Sequence, residues 1–535
     1  MANTSVKLPA HPVRTGKTWR GFPVTYYPFI LCSFLPTAGG RRQGPHLSRH
    51  TRDGAFAGPE KEGSMDLRDF IKKCEAEGEL KRIKAEVDWD LEISHIAKLV
   101  EEKSGPALLF ENVKGYKSPV LTGAFGTTKR LAIILGKSPD LSMVQLTKEW
   151  VNVAVKEPIR AKEQKDGPIF ENILDGAKVD TFTFPSPKFY ELDGGRYFGT
   201  AVFMVLQDPE TGDINLGTYR MGILDDKTVG VQILKGKKGD RIMKKYGKAG
   251  KKMPACAIIG GDPLHIFASA ATVKAKSGYD VVSSLRGEPV EIVRGQLTGL
   301  PMPAAAEIVL EGEIDPQHLR NEGPFGEYTG YYTEELIKPI PKPALEVKRI
   351  YYRNNPILWE TSVGRPVGDQ HILYAFTRNA SLWTDLVKME IPGIKSVYTL
   401  PEASGRFIVV VSVEQMYPGH ADQVGAAVIA SNTGAYGIKG VIIVDDDIDA
   451  DDLPRVWWAL GTRYNPARGT QIINRGRSTP LDPSLGPDDN KFITSRIILD
   501  ATIPFEWKVK PTEIKLSESI LAKVKSRWKE YGFED

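Results

Sequence analysis

Cysteine is scarce: there are three in 535 residues (Cys32, Cys74 and Cys256), and none sits in a CxxC pair. That excludes a disulfide framework and a paired-thiolate zinc site, and it fits a reducing cytoplasm. Long hydrophobic runs are missing as well. The apolar stretch 24–35 is too short to span a bilayer and is interrupted by Pro28. There is no GxGxxG fingerprint; the turn Gly260-Gly261-Asp262-Pro263 has the wrong spacing for one. Charge of one sign is also lacking. The net charge is +4, but residues 1–64 hold nine Lys/Arg against Asp53, Glu60 and Glu62, which leaves the rest of the chain at −2. This balance argues against nucleic acid or a membrane as partner.

What remains is an ordinary globular composition, 41% hydrophobic and 26% charged, in a chain long enough for about three to four domains. Residues 1–64, rich in Gly, Pro and Arg, read as a disordered or extraneous leader. The alternative is a signal peptide whose apolar segment follows Arg14, Lys17 and Arg20. From Met65 the pattern changes. Leu67, Phe70, Ile71 and Cys74 recur at helical spacing, 82–87 alternates as a strand, and 90–104 reads as a second helix. The run 107–110 is a buried strand, and further helices are expected at 130–135 and 141–155, giving an N-terminal α/β domain over 65–169. Between 170 and 350 short apolar runs alternate with turns, the texture of a β-barrel or sandwich. A basic insert, 235–252, carries nine Lys/Arg and one acid, Asp240. It is either a solvated face or a handle for an anionic substrate or phosphate. From 351 to 535 strands and helices alternate as in a parallel α/β domain. There Asp445-Asp446-Asp447 closes a strand, as a helix cap or as oxygen ligands for a hard cation.

The stretch 321–332, Asn-Glu-Gly-Pro-Phe-Gly-Glu-Tyr-Thr-Gly-Tyr-Tyr, organises the functional reading. Gly-Pro-Phe-Gly suits neither helix nor strand, so Glu322 and Glu327 flank a stiff turn that can aim both carboxylates at one place. Paired carboxylates in unlike surroundings supply an acid and a base at neutral pH; the alternative is a surface loop with two solvated glutamates. The expected cation is Arg220, next to Asn215-Leu216-Gly217-Thr218-Tyr219 on a strand where Gly217 lets backbone approach a ligand. The glutamate that Arg220 pairs with is expected to ionise. The other, desolvated by Phe325, Tyr328, Tyr331 and Tyr332, is expected to keep its proton. Such a set suits protonation of a carbon that CO2 has left.

These segments, together with Val444-Asp445-Asp446-Asp447, Trp458-Ala459-Leu460-Gly461-Thr462-Arg463 and Asn465-Pro466, resemble the UbiD-type carboxy-lyases over about residues 66–502. The resemblance implies an α/β multi-domain protein: an N-terminal α/β unit, a central split β-barrel like that of flavin reductases (170–350), and a C-terminal α/β domain mediating dimers. It implies a reversible (de)carboxylase of aromatic or unsaturated acids with prenylated FMN as electron sink, a divalent metal (Mn or Mg) and potassium. Homodimers or hexamers, with or without further carboxylase subunits, are implied too. By carry-over, Arg220 orients cofactor and substrate carboxylate, Glu327 donates the proton, and Glu322 is the ion-pair partner of Arg220. Thr218, Tyr219, Gln232, Ile233 and Leu234 match flavin-lining positions, and Asn215 matches a metal ligand.

The chain departs from that pattern around the cofactor phosphate. Lys237 stands where a metal-ligating histidine is expected, Gly278 replaces a metal-ligating glutamate, and Glu414 replaces a phosphate-binding lysine. Three readings follow. In the first, Lys237 and its neighbours hold the cofactor phosphate without a metal. In the second, the chain is a flavin-free carboxylase of the phenylphosphate type. In the third, it is a non-catalytic subunit of a carboxylase complex. A plain flavin oxidoreductase, suggested by the barrel alone, is a further alternative. Substrate walls are expected from the 360s, the 390s and the C-terminal domain, with Gly364-Arg365-Pro366 and His371 reaching inward, His371 alternatively being a surface or capping residue.

Overall fold

A computed structural model describes residues 65–154, 157–271, 276–332 and 338–534. The leader reading for 1–64 falls outside the described residues. The first helix, Leu67–Ala76, shows why the sequence folds as it does. Asp66 accepts from the amide of Asp69 at 2.9 Å as a capping box. Leu67, Phe70, Ile71 and Cys74 then fall on the buried face. The strand Leu80–Ile83 pairs in parallel with Ala107–Phe110, whose four side chains are all buried. That four-stranded sheet is completed by Val120–Thr122 and by Leu358–Trp359, which returns from well beyond residue 350.

The central region is one large antiparallel sheet. Its strands run Tyr197–Gly199, Met221–Asp225, Thr228–Val231, Ala344–Tyr352, Ala306–Ile314, Met253–Gly260, Val202–Gln207, Ile214–Thr218, and Asn172–Asp175 pairs onto Ala344–Tyr352. This path is open; no ladder joins its two ends among the described residues. Yet Ile214–Thr218 at one end leads into Met221–Asp225, next to the other end, through Tyr219 and Arg220 alone. Two linking residues span at most about 11 Å. The sheet therefore curls until its ends nearly meet, and Arg220 occupies the gap.

In the C-terminal region the strands Ile408–Val413, Gly440–Asp445 and Ile493–Asp500 run parallel, flanked by antiparallel Ile394–Thr399 and Thr470–Arg477. Ile408–Val413 and Gly440–Asp445 are near-continuous buried runs rich in β-branched residues, as a sheet covered on both faces requires. The helix Asp369–Lys388 packs between this sheet and the helix Met143–Ala154. Asp445 and Asp447 do not cap a helix. Both pair with Arg463, at 3.1 and 2.7 Å, and the helix Leu453–Thr462 is capped by Asp452. Among the described residues no helix is long and apolar enough to cross a membrane.

Candidate active site

The strand on which Arg220 was expected ends at Thr218, and the next begins at Met221, so the chain breaks at Tyr219 and Arg220. The break frees Arg220 from the alternation of a strand and lets its guanidinium turn inward, leaving the side chain 8% exposed. Opposite, Gly222 and Gly230 face each other in the ladder. A Cβ on Gly230 would lie 2.6 Å from Cγ of Glu322, and one on Gly222 would lie 3.1 Å from its Oε1. Two missing side chains thus make the hollow into which Glu322 inserts. Gly230→Ala is expected to cost about 1–3 kcal/mol by overpacking and to displace Glu322. Thermal unfolding and turnover check this; wild-type values for both would show that the hollow has slack. Gly217, in contrast, does not serve a ligand's approach alone: the space beside it is filled by the ring of Tyr219, 2.6 Å from where a Cβ would stand.

Glu322 ends the strand Arg320–Glu322, and the chain then turns through Gly323 (φ +95°) and Pro324. The turn is tied to neighbouring segments by hydrogen bonds. The carbonyl of Pro324 accepts from the amide of Gly194 at 2.8 Å and from Tyr197 Oη at 3.0 Å. Asp193 accepts from the amide of Gly326 at 2.9 Å and from Tyr332 Oη at 2.8 Å. Phe325 packs 4.4 Å from the Tyr197 ring and lies 4.6 Å beneath the Arg220 guanidinium. His371 is buried and donates through Nε2 to the carbonyl of Tyr328 at 2.6 Å, so it fixes the turn rather than reaching substrate. Tyr331, expected to desolvate the site, is exposed.

The result is a buried cation between two acids. Arg220 Nε lies 3.4 Å from Glu322 Oε1 and Nη2 lies 3.3 Å from Oε2, a two-pronged grip, while Nη1 donates to Glu327 Oε1. The Glu322 and Glu327 side chains are 1% and 6% exposed. Burial dominates at Glu327 and pushes its carboxyl above the ordinary range, with Arg220 opposing. Burial opposes the charge on Arg220, but Glu327 and Glu322 outweigh it and hold the guanidinium above its ordinary pKa. Arg220 pairs with both glutamates rather than with one, and burial still shifts Glu327 towards its neutral form.

Two adjoining cavities open here. The smaller is lined by Thr200, Arg220, Phe325, Glu327, Tyr328 and Val363, with Gln370, Thr479 and Leu481. The larger, about 790 Å³, takes in Asn215, Gly217, Lys237 and Gly278. Thr218, Tyr219, Gln232, Leu234, Tyr374 and Arg406 line both. Of the expected cofactor positions only Ile233 lines neither; it packs into the main apolar core. The larger volume suits a flavin-sized group. The expected metal does not fit. Asn215 lines the cavity with its amide nitrogen buried and unpartnered, but Lys237 is a cation and Gly278 has no side chain. Among the described residues no three His, Cys, Asp or Glu come together. Glu414 lines neither cavity; it pairs with Lys395 at the surface.

Sequence reasoning missed Arg406, Tyr374, Gln370, Thr479 and Leu481. They belong to the C-terminal region and reach the site only through the tertiary fold, so spacing carried no trace of them. Arg365 points outward to Glu102 at 2.7 Å, and no residue of the 390s lines either cavity. The neighbouring Val363 does.

Three models of the 3-octaprenyl-4-hydroxybenzoate carboxy-lyase match in order: the N-terminal domain at 71–150, the Rift-related domain at 160–366 and the C-terminal domain at 371–501. The vanillic acid decarboxylase of Sedimentibacter hydroxybenzoicus, in its closed form, is 31% identical over 87% of this chain and 99% of its own, with a TM-score of 0.78. The UbiD-class enzyme HmfF of Pelotomaculum thermopropionicum, in complex with FMN, is 28% identical over 86% and 98%, with a TM-score of 0.76. An evolved dimeric form of HmfF in complex with prFMN is 29% identical over 84% and 99%, with a TM-score of 0.72. With all three domains matched in sequence and these structures superposing along nearly their whole length, the chain belongs to the UbiD family of carboxy-lyases.

Proposed function

We propose that this carboxy-lyase removes or adds CO2 at an aromatic or unsaturated carboxylic acid, with prenylated FMN in the larger cavity and the reacting carbon in the smaller one. The observation that carries the reading is the buried Arg220–Glu322–Glu327 set, of which Arg220 and Glu327 line the smaller cavity. Glu327, its carboxyl raised by burial, delivers its proton to the carbon that CO2 leaves, and the new carboxylate rests against Arg220. Glu322 keeps Arg220 charged and oriented throughout. Thr218, fixed by Ser269 at 2.6 Å, and Gln232, held by Lys342, position the ring system. When bound, the cofactor supplies an electron sink for the pair left behind. The curled, open central sheet is what a split barrel of the flavin-reductase kind would present, with Arg220 at its gap. A homodimer built on the C-terminal region is consistent with its exposed apolar residues Val509, Ile514 and Leu516.

The flavin-free phenylphosphate reading is the second candidate, because the cations of the larger cavity suit an aryl phosphate as well. A non-catalytic role is disfavoured: a scaffold has no use for a buried charge triad. The test is co-expression with a flavin prenyltransferase, followed by absorption spectra and CO2 release or bicarbonate exchange over a panel of aromatic acids. A bound flavin spectrum with turnover is expected. Turnover in protein that carries no flavin would replace this reading with the second.

A further inference from the structure

We propose that the larger cavity grips a phosphate monoester directly through side-chain cations, with no divalent metal between them. Seven lysines and arginines line it among the described residues, and five of them, from four separate elements, form the cradle. Lys237 and Arg241 come from the basic insert, at and just inside the helix Lys238–Lys248, and Arg378 from the helix Asp369–Lys388. Arg406 precedes the strand Ile408–Val413, and Arg477 ends the strand Thr470–Arg477. None of the five has a carboxylate within ion-pair distance among the described residues, and Asp213 is the single acid in the described lining.

Their arrangement is built rather than incidental. The ring of Tyr436 lies 3.7 Å from Lys237 Nζ, 4.9 Å from the Arg477 guanidinium and 5.9 Å from that of Arg406. Arg378 is fixed by donating to the carbonyls of Thr433 at 3.3 Å and Tyr436 at 3.0 Å. The Nε atoms of Arg378 and Arg406 are buried without a partner. Burial and the neighbouring guanidiniums push Lys237 down to about 7, and burial and Arg406 push Arg378 down to about 9. Like charges crowded in this way are relieved by an anion, and a tetrahedral dianion offers oxygens to several donors from different sides. A metal alternative meets a steric obstacle besides its missing ligands: a Cβ on Gly278 would lie 2.6 Å from Leu216 Cγ, so a glutamate there would displace that side chain.

The inference rests on the proposed function only in taking the ester to be that of a flavin. The test therefore uses the full-length protein expressed without prenyltransferase and stripped with EDTA. FMN, riboflavin and inorganic phosphate serve as probes, read by calorimetry and thermal shift. FMN is expected to bind as tightly in EDTA as with added Mn, and riboflavin about 30-fold more weakly. Lys237→Gln and Arg477→Gln should each weaken FMN about tenfold and leave riboflavin unchanged. Binding that requires added Mn or Mg, or equal affinity for FMN and riboflavin, would overturn the proposal. If neither flavin binds but phosphate raises the melting temperature of wild type and not of Lys237→Gln, the anion cradle stands and the flavin reading falls. If phosphate has no effect either, the cradle falls with it.

Discussion

Glu327→Gln should reduce turnover by roughly 10²–10⁴-fold, the usual contribution of a positioned general acid, and abolish solvent-deuterium incorporation at the substrate carbon. The amide keeps the size of the carboxyl and still accepts from Arg220 Nη1, so the turn and the grip on Glu322 remain. What it lacks is a proton to give. Folding should be nearly unchanged, because Arg220 keeps Glu322 as its counterion. The pH profile of the wild type belongs to the same argument. Burial raises the carboxyl of Glu327, so the donor form persists above the ordinary carboxylate range and activity declines as pH rises through that raised value. Turnover and deuterium exchange in Glu327→Gln at wild-type rates would remove Glu327 from the reaction.

How much of this could be read from the sequence depends on the range of the interactions involved. The bend at 323–326 was legible because Gly and Pro restrict backbone locally, and the structure has Glu322 and Glu327 meeting at one guanidinium. The helix Leu67–Ala76 and the strand Ala107–Phe110 were legible because periodicity and capping are local too. The break at Tyr219 and Arg220 was not. Strand propensity continues through it, and what interrupts it is the meeting of the two ends of a curled sheet. Nor was the role of Gly222 and Gly230, since their register opposite one another is set by the ladder. Arg378, Arg406 and Arg477 were invisible for the same reason: each is one arginine among many until the fold brings them round Tyr436. The insert at 235–252 announced its charge but not that Lys237 alone turns far enough in to be driven towards neutrality.

Replacing Arg220 should be the most damaging single change to both stability and function, and the two losses separate by choice of residue. Arg220→Lys keeps a charge but not a fork. The guanidinium now meets two oxygens of Glu322 and one of Glu327 while resting on the Phe325 ring, and a compact ammonium can satisfy only part of that set. Activity should collapse while the fold survives. Arg220→Ala instead leaves two buried carboxyls with no cation, at a cost of about 3–5 kcal/mol by the usual penalty for breaking a buried pair. The loss must depend on pH with a definite sign. Burial already raises the carboxyl of Glu327, and without Arg220 it loses the cation that opposes the rise, so its folded-state pKa lies further above the unfolded value of about 4.3 and it binds its proton more tightly when folded. The variant is then less impaired near pH 5, where that acid is easier to keep neutral. It is more destabilised towards pH 8, where folding must hold the proton against the solvent or bury a charge. Melting temperatures of wild type and Arg220→Ala at pH 5 and pH 8 decide the matter. An equal loss at both would mean that the two carboxyls are not facing each other across a water-free hollow, and the chemistry assigned to them would lose its basis.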